Sequence, residues 1–439
     1  MPSPPGRTSR LDPSPQADSP PVLRLVGRSG GWERAAATTA TTVRQAGERA
    51  LHAGDLTASR SLFDTAYALA VNDDDATEAG RSALGLGGLW VHEHREAVRG
   101  AEVEWRQRTA AERLDRRGAH PLLVLRLRTR LAAEADYRAG THEGVLRQLD
   151  RARAWGDPVA HAEALSLAHH CLLGPDQAER RLCLARELLG VASESGRRID
   201  VLMGLYWWAV DLVLLGDPHA DRALVQLRAA LEQSPNLALG FTTQALEVML
   251  AIRAGRLVEA DALAERCAAS GTRAGDVDVT GWSGAQQVAI HWLRGRLADL
   301  LPMLQETVAA PALSIADDAF VAALAVAAAE AGDRVAAAGA LARLRGKGFG
   351  ELVRSSSWLV AVYGAIEAAH RLGDRSVAAE AAQVLTPFAE LPMLALAENI
   401  SPALGCCYGF LLLLAMFGTA LSSQVAFLDF VCGKSRRIN

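Results

Sequence analysis

The amino-acid sequence predicts an all-α fold, a superhelical solenoid in which about ten helix hairpins stack in series. Half of the residues are hydrophobic and only 5% are aromatic, with alanine and leucine dominating, which suits closely packed helices. No stretch shows the sustained polar–apolar alternation of a strand, so we predict essentially no sheet. A glycine followed by a short polar step also recurs at intervals of 40, 37 and 41 residues, at Gly255, Gly295, Gly332 and Gly373.

Each of these glycines is expected to close one helix and open the turn to the next. A helix commonly ends with one residue at positive φ, a conformation that costs glycine little. A similar spacing continues towards the N-terminus, with intervals of 34, 42 and 39 residues, at Gly140, Gly174 and Gly216. With Gly54, a weaker turn near His94 and Gly418, the pattern predicts about ten hairpins and roughly twenty helices.

The ends of the chain differ from the repeats in composition. Residues 1–31 are rich in proline, serine and arginine and hold too few apolar side chains for a core, so we expect a disordered tail. They contain no apolar run of the length that a signal peptide needs. The solenoid is expected over residues 32–432, and a short basic tail over residues 433–439.

The first elements follow from the same periodicity. Residues 32–53 and 56–70 are predicted to form the first hairpin. The polar run at residues 72–75 favours a loop that ends in a capping aspartate over a metal site. Helices are then predicted over residues 76–91 and 101–114.

The apolar segment at residues 400–431 has two interpretations. It carries no charge from Ile400 to Leu428 and is followed by Lys434 and two arginines, as a membrane helix with a cytoplasmic flank would be. Gly418 lies close to the register of the solenoid, which favours a final soluble hairpin instead. A membrane tether and a cytoplasmic solenoid therefore both stay open.

Several histidine and cysteine motifs that could bind a metal have simpler structural interpretations. His92 and His94 stand two residues apart, so one helix would point them to different sides, and we expect a turn between hairpins there. His169, His170 and Cys171 are expected to form a packed helix end. The six cysteines show no Cys-x-x-Cys spacing, which favours small buried side chains, at Cys171, Cys183, Cys267, Cys406, Cys407 and Cys432.

Nothing in the sequence predicts catalysis or a bound cofactor. The Gly-Lys-Ser at residues 433–435 lacks the earlier glycine and the preceding strand of a phosphate-binding loop. We find no nucleophile–base arrangement and no metal-ligand set, so we expect a protein that is not an enzyme, with no catalytic, cofactor or metal residues.

Binding surfaces are harder to predict. Formal net charge is −4, so no global field draws nucleic acid. The basic stretch at residues 106–130 also contains acidic residues, which favours a solvated face with local ion pairs over a phosphate-binding patch. Core packing is expected for tryptophans that fall at apolar helix positions, namely Trp207, Trp208, Trp282, Trp292 and Trp358.

The pattern Gly-[Asp/Arg]-x-x-x-Ala, preceded by a bulky residue, resembles the turn of tetratricopeptide repeats. Three stretches are similar to the repeat region of large actinobacterial regulators of the LuxR and MalT type: LGLGGLWVHEHR at residues 84–95, LSLAHHCLLGP at 165–175 and MLAIRAGRL at 249–257. The similarity covers roughly residues 75–410. In such regulators an ATPase domain usually precedes the repeats and a DNA-binding domain often follows; neither is recognised in this sequence.

The resemblance and the repeats together lead us to expect a non-enzymatic protein-interaction or regulatory module of the cytoplasm. A stack of hairpins leaves a concave groove that can hold a protein, a peptide or a small effector. A small-molecule sensor and a membrane-tethered scaffold are the alternatives, and direct nucleic-acid binding is not expected. The groove residues and the oligomeric state do not follow from the sequence.

Overall fold

The computed structural model describes residues 39–94, 96–310 and 318–388. Within these ranges the chain forms eighteen α-helices and no strand, so the predicted all-α fold is confirmed. The helices are α1 (Ala40–Ala53), α2 (Leu56–Asn72), α3 (Ala76–Gly85), α4 (Ala97–Arg116), α5 (Pro121–Ala139), α6 (Glu143–Trp155), α7 (Pro158–Cys171), α8 (Ala178–Ala192), α9 (Arg198–Leu215), α10 (Ala220–Gln233), α11 (Leu237–Arg253), α12 (Leu257–Ala274), α13 (Val279–Leu293), α14 (Leu301–Ala309), α15 (Asp318–Glu330), α16 (Arg334–Lys347), α17 (Trp358–Leu372) and α18 (Arg375–Leu385).

The helices stack as consecutive hairpins in two layers. Each odd-numbered helix packs against the even-numbered helix that follows it, except that a 3-10 turn, Leu297–Leu300, comes between α13 and α14. The odd-numbered helices also contact one another in sequence from α1 to α13, and α15 contacts α17. The odd-numbered helices therefore form one layer of the array, called the inner layer below. The even-numbered helices form the other, called the outer layer.

The hairpin turns contain the glycines that the sequence indicates. Gly255, Gly295, Gly332 and Gly373 have φ values of 69°, 64°, 80° and 79°. Gly174 differs, with φ at −64°, because Pro175 follows it and a residue before proline is held in the extended region.

Several helices begin at an aspartate that follows such a turn. The side chain of Asp333 accepts a hydrogen bond from the Ala336 backbone N–H at 2.9 Å, and Asp374 does the same for Val377 at 3.1 Å. Asp75 caps α3 as predicted, accepting from the backbone N–H of Glu78 at 3.0 Å. The glycine and the aspartate therefore end one helix and begin the next.

Two predicted helix boundaries are wrong. Helix α1 begins at Ala40 rather than at residue 32, because Thr39 and Thr42 form a capping box. Helix α3 ends at Gly85 rather than at residue 91, and residues 86–94 form an irregular connection. Gly85 lies so close to Phe63 that a Cβ atom would come within 2.3 Å of the ring, and Gly88 has a positive φ of 68°.

The apolar core of the described residues divides into several clusters, of which the two largest lie between residues 91 and 239 and between residues 241 and 385, while smaller clusters fill the first two hairpins. Trp292 and Trp358 are fully buried in the second cluster. Cys171 and Cys267 are buried as predicted, but Cys183 is exposed on α8, so the prediction is wrong for that residue.

The first hairpin also contacts the sixth. The Asn236 side chain, which caps α11, donates from Nδ2 to the carbonyl of His52 at 3.0 Å. Arg60 of α2 donates from Nη2 to the carbonyl of Gly275 at 2.6 Å. These pairs lie 184 and 215 residues apart in sequence, so the sixth hairpin of the array is in direct contact with the first.

Four sequence predictions lie outside the described residues: the tail at 1–31, the turn at Gly418, the apolar segment at 400–431 and the basic tail at 433–439. Of the helices that the structure does describe, none combines the length and the hydropathy of a membrane span.

Candidate binding chamber

The inner layer of the first five hairpins encloses a cavity of about 340 Å³, called the chamber below. Its walls come from α1, α3, α5, α7 and α9, with Phe63 of α2 and the connection after α3. The chamber therefore forms where neighbouring hairpins place their inner helices side by side.

One part of the chamber wall is apolar. Phe63, Ile199 and Met203 are buried at 1%, 5% and 4% exposure and line it. Leu84 and Val159 are half-buried and also line it. These side chains come from four different helices, so the apolar surface exists only in the assembled array.

The other part of the chamber wall is charged. It consists of four side chains joined by hydrogen bonds, Arg126, Glu163, Arg197 and Asp200. Arg126 donates from Nε and Nη2 to both carboxylate oxygens of Glu163, each at 2.7 Å. Arg197 donates to Glu163 at 2.5 Å and to both oxygens of Asp200, at 2.9 and 2.6 Å. These bidentate contacts fix the geometry of the guanidinium groups.

The electrostatics of this chain favour the charged forms. Burial alone would raise the pKa of Glu163, but Arg126 and Arg197 lower it well below its ordinary value. The neighbouring His52 has its pKa lowered, first by burial and then by the positive charge of Arg197. Glu163 is therefore a carboxylate and His52 a neutral ring near neutral pH.

A second charged group stands on α1 and α3. Arg44 donates to Glu78 at 2.7 Å and also pairs with Glu48. Arg81 donates from Nη1 to the other oxygen of Glu78 at 2.8 Å, while its side chain stays 45% exposed. The structure shows no protein acceptor for Nε or Nη2 of Arg81 within the ranges that it describes.

The chamber lining is positive on balance. Four arginines line it, Arg81, Arg126, Arg130 and Arg197. Three carboxylates line it as well, Glu48, Glu163 and Asp200. With His52 neutral, the formal sum over these side chains is positive by one charge.

The irregular connection at residues 86–94 closes one side of the chamber. Arg130 donates to the carbonyls of Gly88 and Trp90, at 2.5 and 2.7 Å. The backbone N–H of His92 donates to both oxygens of Glu134 at 3.1 Å, which holds the turn at positive φ. Val91 and His92 form a turn, but it lies within the hairpin of α3 and α4 and not between hairpins as predicted.

An aromatic cluster packs behind this connection. Trp90 lies 6.1 Å from both His170 and Trp207, measured between ring centroids, and 5.8 Å from Tyr206. His169 stacks on Trp207 at 4.3 Å. The predicted packed helix end at residues 169–171 is therefore confirmed, and Trp90 belongs to the core with the tryptophans that the sequence indicated.

His169 also belongs to a buried polar group. Its Nε2 lies 2.7 Å from Asp211, and Arg181 donates to the same carboxylate at 3.0 Å. Burial lowers the pKa of His169, although Asp211 acts in the opposite direction. This group connects α7, α8 and α9, and its three residues are not among those that line the chamber.

Glu93, in the connection after α3, is a buried carboxyl group whose pKa is shifted upwards. Its Oε1 accepts from Arg60 at 2.6 Å, while its buried Oε2 has no hydrogen-bond partner among the described residues. Burial raises the pKa of Glu93 to about 7, against the opposing charge of Arg60. Because Arg60 also binds the carbonyl of Gly275, Glu93 stands at the contact between the first and sixth hairpins.

The basic stretch at residues 106–130 divides between the two layers. Arg106, Arg108 and Arg113 pair with acidic side chains on or beside the outer layer, as predicted for a solvated face. Arg126 and Arg130 face the chamber instead. Among the predicted core tryptophans, Trp207, Trp292 and Trp358 are buried, whereas Trp208 and Trp282 are half-buried.

Sequence reasoning missed Glu163, Arg197 and Asp200. The signal was present, because contacting charges stand one repeat apart. Arg126 and Glu163 are 37 residues apart, Glu163 and Arg197 34, and Arg44 and Glu78 34. Opposite charges at the repeat interval therefore mark positions that meet between neighbouring hairpins, on either layer, because Arg153 of α6 and Glu187 of α8 also pair 34 residues apart.

Comparisons with known proteins found no family model that matches this chain and no matching curated protein.

Proposed function

We propose that this chain is a non-enzymatic regulatory module that binds a ligand in the chamber of its first five hairpins. The observation that carries the proposal is the chamber wall, where an apolar surface and fixed guanidinium groups meet in one cavity. Ligand sites in proteins commonly combine a mostly apolar lining with a few fixed polar groups.

The size of the chamber favours a small ligand over a helical peptide. An α-helix with its side chains is about 10 Å wide and fills roughly 400 Å³ per turn. The chamber volume of 340 Å³ is below that of one such turn. It lies at the lower end of the range for small-molecule sites, roughly 300 to 1,000 Å³.

A ligand bound there would act on the array as a whole. It would contact five inner helices at once and stabilise their mutual packing, because binding to the folded state alone adds to stability. Such coupling between a ligand and the spacing of repeats is a means of regulation that requires no bond chemistry.

A protein partner is a second candidate function, supported by two exposed aromatic side chains of the outer layer. Trp105 of α4 is 60% exposed and Trp155 of α6 is 50% exposed. Exposed tryptophans often anchor protein interfaces. Loss of a captured partner in Trp105→Ser and Trp155→Ser, with the chamber unchanged, would separate this function from ligand binding.

A bulky side chain introduced into the chamber tests whether ligands bind there. Val159, the second residue of α7, lines the chamber, whereas Val258, the second residue of α12, is 83% exposed. In a thermal-shift screen of metabolite-sized compounds, we expect ligands that stabilise the native chain and Val258→Trp but not Val159→Trp. If every stabilising compound acts equally on both variants, the chamber is not the binding site.

A further inference from the structure

We propose that the ligand of the chamber is an amphiphilic organic anion, a compact apolar body that ends in one carboxylate. This inference rests on the proposed function and specifies the chemistry of the same site. Its basis is the combination of one guanidinium group with unused donors and an apolar wall, both inside one cavity.

The first step concerns Arg81. Its carboxylate partner Glu78 is buried and already accepts from Arg44 at 2.7 Å, so Glu78 does not depend on Arg81. Arg81 uses Nη1 for Glu78, and its side chain is 45% exposed while lining the chamber. Nε and Nη2 have no acceptor among the described residues, and this guanidinium edge matches the two oxygens of a carboxylate.

The second step concerns the opposite wall. Arg197 is held by Glu163 and Asp200 at three hydrogen bonds, so it stays in place without a ligand. Arg126 is held by the same Glu163 through Nε and Nη2. These four groups sum to zero charge, and the other charged lining residues, Arg81, Arg130 and Glu48, leave the lining positive by one charge, which favours one anionic group over a neutral or cationic one.

The third step concerns the rest of the ligand. Leu84 and Val159 are half-buried and present apolar surface to the chamber, and the buried side chains of Phe63, Ile199 and Met203 complete this wall. An inorganic anion would leave that surface unused, whereas an aliphatic or aromatic body would cover it. Each methylene group that enters an apolar site adds about fourfold in affinity.

The probes are straight-chain carboxylates from butanoate to decanoate, with benzoate, the matching alcohols and amines, and inorganic phosphate. Calorimetry on the full chain at pH 7.5 should show affinity rising about fourfold per methylene and then levelling when the chamber is full. The alcohols and amines of equal length should bind at least about tenfold more weakly, because they form no charged pair with the guanidinium group.

Arg81→Gln should weaken carboxylate binding at least about tenfold. The matched control is Arg108→Gln, because Arg108 is also exposed, at 61%, and also shares its carboxylate, Glu104, with a second arginine. Unchanged affinity in Arg81→Gln, or equal loss in both variants, would overturn the inference.

The two proposals fail in different ways. If no carboxylate binds but a neutral or cationic compound binds and is excluded by Val159→Trp, the chamber is a ligand site and the anion inference is wrong. If phosphate binds as tightly as octanoate, the apolar body is wrong. If no compound distinguishes Val159→Trp from Val258→Trp, both proposals are wrong.

Discussion

The inner helices of the first half of the array (α1–α10) and of the second half (α11–α18) pack through different kinds of side chain. In the first half, α5 buries eight of its nineteen residues, and its inner face carries Arg126 and Arg130. In the second half, α17 buries twelve consecutive residues, from Trp358 to Ala369. The first half therefore encloses a polar-lined chamber, whereas the second half closes on an apolar core.

Close helix contact explains the second arrangement. A Cβ atom on Gly364 of α17 would lie 2.9 Å from the Cβ atom of Ala322 on α15, so the two helices touch along small residues. Charged side chains of the length of arginine hold the inner helices of the first half together across the chamber instead. One repeat pattern thus yields either a solid core or a ligand-sized space.

The largest expected effect on stability lies in the second half, whose inner helices form an apolar core. Trp358 is 1% exposed, and its Nε1 donates to the carbonyl of Phe349 at 3.3 Å. Trp358→Ala should lower the free energy of unfolding by about 3–5 kcal/mol, because it leaves a large cavity. Urea denaturation measures the loss. Trp105→Ala, at a side chain 60% exposed, should change it by less than about 0.5 kcal/mol.

The next largest loss of unfolding free energy is expected in the first half, at the charged side chains of the chamber. Glu163→Gln removes the carboxylate that Arg126 and Arg197 share, so we expect a loss of about 2 kcal/mol at pH 7. The pKa of Glu163 lies below its ordinary 4.5, so this stabilisation is complete above pH 4.5 and disappears as the pH falls towards the folded-state pKa. Native and variant chains should therefore converge in acid.

Glu187→Gln is the matched control for this change. Glu187 also accepts a bidentate pair from an arginine one repeat away, Arg153, but on the outer layer with both side chains about one-third exposed. Its loss should cost at most about 1 kcal/mol. Equal losses in Glu163→Gln and Glu187→Gln would show that the chamber pairs contribute no more than surface pairs.

A smaller effect of opposite pH dependence is expected at the contact between the first and sixth hairpins. Burial raises the pKa of Glu93 from 4.5 to about 7, so between these values the folded chain holds a proton that the unfolded chain has released. The stability that this group contributes is complete below pH 4.5 and falls as the pH rises to 7. Glu93→Gln should remove a decline of about 1–2 kcal/mol in unfolding titrations. An unchanged pH profile would contradict the assignment.

The smallest effect should be alike in both halves. Asp55 and Asp374 each cap the second helix of a hairpin through one backbone hydrogen bond, at 2.9 and 3.1 Å. Asp55→Ala and Asp374→Ala should each cost about 1 kcal/mol in denaturation experiments. A large difference between them would mean that the turns, and not only the inner faces, distinguish the halves.

The sequence predicts what is local and periodic. The turn glycines and the capping aspartates recur with the repeat, so the hairpins follow from short-range rules at Gly332, Asp333, Gly373 and Asp374. The early end of α3 did not follow, because it depends on the ring of Phe63 against Gly85 and on Trp90 entering a distant aromatic cluster.

The chamber depends on contacts that helix periodicity within one segment does not encode. Glu163 touches arginines 37 residues before it and 34 after it, on two neighbouring inner helices. Which face of each helix turns inward becomes visible only when those helices are side by side. Pairing opposite charges at the repeat interval would have found them.

Hydrogen exchange with octanoate tests the difference between the halves most directly. Backbone amides should be compared in the full chain with and without saturating ligand. We expect slower exchange in α1, α3, α5, α7 and α9, and no change in α15 and α17. Protection confined to α15 and α17, or no protection in the first five inner helices, would contradict the binding of an organic carboxylate in the chamber of the first half.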